Sequence, residues 1–96
     1  MKTFLITLHL VQSSESYVNL NAYLKSSSHW AIVIPNVWII RTDKKASEIR
    51  DGITQRVNVN QGDKVLVMRL EDGMPEWGTN NIGKVVTDWM KNGGHS

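Results

Sequence analysis

Ninety-six residues, 41% apolar and 21% charged with a formal net charge of +2, describe one soluble globular domain with a single core. The absence of cysteine excludes disulfides, thiolate metal sites and a cysteine nucleophile. No apolar run reaches the roughly 20 residues that cross a bilayer, and no run of like charge exceeds two residues, so there is no basic arm.

Residues 2–10, KTFLITLHL, alternate in character. Phe4, Ile6, Leu8 and Leu10 fall on one face, with Thr3, Leu5, Thr7 and His9 on the other, which predicts a strand with one wholly apolar side. The same stretch begins like a secretory leader but lacks a small-residue cleavage site, so a cytoplasmic protein is expected. VQSSES reads as a loop ending in helix-capping residues, where Glu15 complements a helix N-terminus. Tyr17, Leu20 and Leu24 recur at helical spacing as far as Lys25, and SSS breaks the helix. Two strands follow around Pro35-Asn36, a weaker one over 31–34 and a stronger one over 37–42.

Thr42 or Asp43 is expected to cap a second helix whose stripe is Ala46, Ile49, Ile53 and Val57. Gly52 costs that helix about 1 kcal/mol against alanine and so points to close packing. NQGD turns the chain into a fourth strand over 64–70, and EDGMPEWGTN is a loop in which Glu71 and Asp72 before Gly73 are turn chemistry. A last helix carries Ile82, Val85, Val86, Trp89 and Met90 on one face and stops at Gly93-Gly94. A single domain over 1–92 is expected, with a disordered tail over 93–96 that includes His95.

The order β-α-β-β-α-β plus a helix predicts an α+β, ferredoxin-like sandwich with an additional C-terminal helix. Both crossover helices are expected on the Phe4/Ile6/Leu8/Leu10 face. The other face, with Leu5, Thr7 and His9, is left for the last helix or a second copy to cover. These three residues are the expected homodimer interface.

In MKTFLITLHL, SYVNLNAYLKS, VWIIRT, KKASEIRDGI and DKVLVMRLEDG, over residues 1–73, the chain resembles the SinR-like group of small bacterial and phage proteins, relatives of CRISPR-associated protein 2 and of the VapD toxins. The resemblance implies a ferredoxin-like fold and face-to-face dimers. It also implies either a metal-dependent nuclease or a nucleic-acid-bound structural subunit. In the nuclease members an aspartate ends the first strand, and two such carboxylates hold a metal across the dimer. Here Leu8 and His9 stand where tyrosine and aspartate are expected. Magnesium favours carboxylate and water oxygens over imidazole nitrogen. The strand-end metal site is therefore expected to be lost; no cofactor is expected, and magnesium enters only under a nuclease alternative.

His9 is accordingly read as an interface residue first and a candidate catalytic base second, since its unperturbed pKa is about 6.5. His29 is one candidate partner, and two histidines without a third ligand make no zinc site. Arg41, Lys44, Lys45, Arg50 and Arg56 around the second helix, with Lys64 and Arg69 on the fourth strand, are candidate phosphate contacts, diluted by the interleaved Asp43, Glu48, Asp51 and Asp63. Among four tryptophans, Trp77 in MPEWGTN either folds back to anchor its loop or stacks on a base or partner. No phosphate-binding glycine loop, nucleophile elbow or zinc-protease motif occurs. VWIIRTD also lacks the glycine-aromatic signature of an RNA-recognition motif. The expected function is a small dimeric, non-catalytic binding or scaffolding protein associated with RNA or DNA. The alternatives are a metal-dependent endonuclease of the same family and an accessory protein that binds a host protein. No membrane association is expected.

Overall fold

The computed structural model describes residues 1–70 and 76–94. Its order is β1 (Lys2–His9), α1 (Val18–Lys25), β2 (His29–Ile34), β3 (Val37–Thr42), α2 (Ala46–Thr54), β4 (Lys64–Leu70) and α3 (Lys84–Lys91), with 3-10 turns at Ser14–Tyr17 and Val59–Gln61. No described helix is long and apolar enough to cross a membrane. The reading of residues 71–75 as a turn and loop, and that of His95, lie outside the described residues.

The four strands form one sheet in the order β2-β3-β1-β4, every neighbouring pair antiparallel. Two antiparallel steps return the chain direction, so β1 runs parallel to β2 across β3, and β3 runs parallel to β4 across β1. Each of these parallel pairs is joined through a helix, α1 or α2. β2 and β3 are joined directly at Pro35-Asn36. Proline fixes a negative φ and Asn36 takes φ 66°, the combination a type II turn requires.

The strand alternation sets the two faces. Phe4 lies opposite Ile40, and Ile6 opposite Trp38 and Val67. These side chains pack with Tyr17, Leu20, Leu24, Ile49 and Ile53 into one buried cluster, so α1 and α2 share the first face of the sheet. Leu8, Leu10 and Val57 are partly buried against that cluster, as their place in the sequence pattern predicted. Gly52 allows close helix packing: a Cβ there would overlap the Tyr23 phenol of α1.

Ala31 and Ile39, register partners on the second face, are buried outside that cluster, as is Met90 of α3. α3 packs against β2 and is the described helix left to cover this side. It covers only part of the face, because Leu66 and Met68, in register with Thr7 and Leu5, stay 51% and 49% exposed. Its own apolar stripe is also incompletely used: Met90 is buried, while Val85 is 85% exposed.

Several helix boundaries differ from the sequence reading: Val57, expected on the second helix, lies beyond α2, and Ile82, expected on the last helix, lies before α3. The N-cap of α2 is Lys45, beyond Thr42 and Asp43. The Thr42 hydroxyl instead accepts from the Lys44 N–H at 3.4 Å, a local turn completed before the helix begins. A lysine side chain accepts nothing, so the helix start is closed by Glu48, which accepts from the Lys45 N–H at 3.1 Å. The first helix is preceded by a 3-10 turn from Ser14, which places Tyr17 at the junction. At the other end of the chain Gly93 and Gly94 take φ 69° and 80°, and the Gly94 N–H donates to the Trp89 carbonyl at 3.0 Å, closing α3.

Candidate nucleic-acid interface

The topology brings basic residues from several elements to one end of the sheet. Lys2 opens β1 opposite Thr42, Arg41 lies between Thr3 and His29, and Arg69 lies opposite Phe4. Lys44 and Lys45 continue from β3, and Lys25 ends α1 with its ammonium 5.3 Å from the Trp30 ring. Two described carboxylates at this end are already engaged. Asp43 receives the N-terminal amine at 3.7 Å, and Glu48 caps α2.

The candidate contacts are not equivalent within this cluster. Lys45 and Arg69 are exposed. Lys44 is exposed but lies over the Tyr23 ring at 4.8 Å, and Arg56 lies over the same ring at 4.3 Å. The Arg56 guanidinium also donates to the Gly52 carbonyl at 2.7 Å. Such cation–ring contacts hold long side chains in place at an exposed site. Lys2 donates to the carbonyls of Asp43 and Lys44, both at 3.4 Å, and so ties the first strand to the segment before α2. Arg41 is half-buried on the second face, whereas Arg69 follows the parity of Phe4 and belongs to the first. The basic surface therefore wraps around the sheet end. Trp77 is half-buried, between β4 and α3 in the chain.

Sequence reasoning missed Lys2 and Lys25 because each stands alone in the chain. Their signal is positional: one begins the first strand and the other ends the first helix, and this topology places both ends together.

The opposite end carries His9, exposed and in register with Lys64. An open hollow there is lined by Thr7, Leu8, His9, Lys64, Val65 and Leu66, an imidazole and an ammonium with no carboxylate. His29 sits at the basic end, six residues away along β1, so roughly 20 Å separates the two imidazoles. The fold does not bring them together. Among the described residues no three His, Cys, Asp or Glu side chains are grouped to hold a metal ion.

Behind His9 lies a buried polar knot that the sequence reading treated as surface charge. Asp63 is 4% exposed. Its Oδ1 accepts from the Val11 N–H at 2.9 Å and the Tyr17 hydroxyl at 2.8 Å, and its Oδ2 accepts from the Asn58 N–H at 2.8 Å. The Tyr17 oxygen in turn accepts from the Gln12 N–H at 3.0 Å. Burial pushes the Asp63 carboxyl up, but the Asn58 and Val11 N–H groups, the Tyr17 hydroxyl and the nearby His9 outweigh it and hold the group below its usual value. Burial, with Asp63 adding to it, raises the Tyr17 phenol. Every acceptor and donor named here is used internally, so the knot fastens the β1 exit to the loop before β4.

Comparison with protein-family models, with curated proteins and with solved structures returned no match.

Proposed function

We propose that the chain is a non-catalytic, cytoplasmic nucleic-acid-binding subunit of ferredoxin-like fold. In this reading it acts as a homodimer and is related to the CRISPR-associated protein 2 and SinR-like group. The fold assignment is supported by the β-α-β-β-α-β order, with β1 and β3 central and both crossover helices on one face. Self-association is supported by the apolar side chains that α3 leaves exposed on the second face, beside Leu5, Thr7 and His9.

The observation that carries the binding function is the convergence of Lys2, Lys25, Arg41, Lys44, Lys45 and Arg69 at one end of the sheet, with Asp43 and Glu48 there already engaged. Phosphate contacts made by separate cations release counterions, so affinity falls steeply with salt. The non-catalytic assignment is supported by the replacement of a strand-end carboxylate by His9 and by the distance between the two internal histidines.

The test is a titration of fluorescent single-stranded RNA, single-stranded DNA and duplex DNA at several salt concentrations, with and without magnesium. Salt-sensitive binding without cleavage is expected. No binding at low salt sinks the nucleic-acid reading and favours a protein partner. Magnesium-dependent cleavage that disappears in His9→Ala replaces the reading with the endonuclease.

A further inference from the structure

We infer that the outer edge of β4 pairs antiparallel with β4 of a second copy, joining two four-stranded sheets into one of eight strands about a two-fold axis at Val67. Of the proposed function, only self-association is required for this, and the contact lies at the β4 edge rather than on Leu5, Thr7 and His9 of β1.

The two edges of the sheet are treated differently by the sequence. β2 is guarded: its register with β3 is irregular between Ile32 and Ile34, and Pro35 follows it. Irregular registers, proline and a covering helix are the usual means by which an edge is kept from pairing. Among the described residues β4 has neither the irregular register nor the proline, and the helix that packs against it, α2, lies on the first face rather than along the edge. It runs seven residues in unbroken register with β1, from Leu70 opposite Thr3 to Lys64 opposite His9, with no glycine or proline. It pairs with β1 alone among the described strands. Its centre, Val65 to Met68, is apolar on both faces, and its charges stand at the flanks, Lys64 and Arg69. Such an edge is a template for another strand.

The strand KVLVMRL can lie antiparallel to a second copy of itself about Val67. Lys64 then faces Leu70, Val65 faces Arg69, Leu66 faces Met68, and the two Val67 residues face each other. All seven residues pair, and no two like charges stand opposite. Moving the axis one residue either way leaves five pairs, so the Val67 register is the longest that keeps the faces matched. On the second face the pairing sets Leu66 and Met68 of one copy against Met68 and Leu66 of the other. That converts two half-exposed side chains per copy into one apolar patch with cross-strand contacts. Because the β2 edge is guarded, each copy offers one such strand, and pairing closes at two rather than propagating.

The cysteine-free chain allows a direct test. Directly opposed residues in antiparallel strands have Cα atoms about 4.5–5.5 Å apart, within disulfide reach. Residues offset by two positions are roughly 8 Å apart, beyond it. Wild type is first sized by sedimentation equilibrium, where a dimer is expected. Val67→Cys under mild oxidation should then become mostly covalent dimer. Leu66→Cys and Met68→Cys should each stay uncrosslinked alone but crosslink when mixed. The mixed pair keeps the register testable if Val67→Cys fails to fold. A dimer that crosslinks neither through position 67 nor in the mixture overturns edge pairing while self-association stands. A monomer, alone or bound to a strand of another protein, overturns both.

Discussion

Thr3 and Asp63 are both buried polar residues, and they differ in whether their polar atoms are satisfied. Thr3 is fully buried, and its hydroxyl has no hydrogen-bond partner among the described residues. An unmade hydrogen bond in the interior is costly, and valine has nearly the same shape without the hydroxyl. Thr3→Val is expected to raise stability by about 1 kcal/mol, read from the urea midpoint; a loss of stability would mean that the hydroxyl is bonded. Asp63 is the opposite case, with three donors on two oxygens. Asp63→Asn turns a donor toward at least one of them and should cost about 2 kcal/mol at neutral pH. The folded carboxyl lies below its unfolded value, so its contribution is complete above the ordinary aspartate pKa of about 3.9 and is lost as pH falls through the folded pKa. Urea unfolding of wild type and Asp63→Asn from about pH 5 to about pH 2 should show the gap between them closing. A gap that is constant across that range would place the cost in packing rather than in charge.

The packing of α1 on α2 turns on Tyr23 and Gly52. Alanine at position 52 gains about 1 kcal/mol of helix propensity, but its Cβ would displace the Tyr23 phenol from between the helix and the cations of Lys44 and Arg56. Gly52→Ala is therefore expected to destabilise the wild type, yet to stabilise a Tyr23→Ala background by about 1 kcal/mol. Equal effects in both backgrounds would remove the close approach as the reason for the glycine. α3 makes a second contrast within one stripe: Met90→Ala should cost about 2 kcal/mol or more, and the exposed Val85→Ala should stay within about 0.5 kcal/mol. Thermal unfolding of the two variants separates a helix docked through one residue from one buried along its length. Much of this layer was legible in the sequence. β4 falls on residues 64–70, the apolar run expected after the NQGD turn, and Phe4, Ile6, Leu20, Leu24, Ile49 and Ile53 are core as their periods require. The caps were less legible, because Thr42 spends its hydroxyl on a turn that looks like a cap in one dimension. The Asp63 knot was not legible at all. An aspartate after glycine is ordinary turn chemistry until the fold carries Val11, Tyr17 and Asn58 to it.

At the scale of the whole molecule, the distribution of charge matters more than its sum. A net charge of +2 on 96 residues is unremarkable, and the cations of the basic end come from four different places in the chain. Their convergence follows from topology alone: two split β-α-β units put the start of β1, the end of β3, the end of β4 and the end of α1 on one side. The far end holds Lys64 and His9, beside an Asp63 already spent on the fold. If phosphates dock at the basic end, single charge removals should act according to place. Lys45→Ala and Arg69→Ala should each lower the magnitude of the slope of log affinity against log salt by about 1, with folding stability little changed. Lys64→Ala removes the same charge from the other end and should leave the slope as it is. Lys44→Ala should lower the slope and also loosen the Tyr23 stack, so its effect should appear in the melting temperature as well. Slopes that fall equally for Lys45, Arg69 and Lys64 would show that nucleic acid responds to net charge rather than to this end of the sheet. The interface would then have to be sought elsewhere on the molecule.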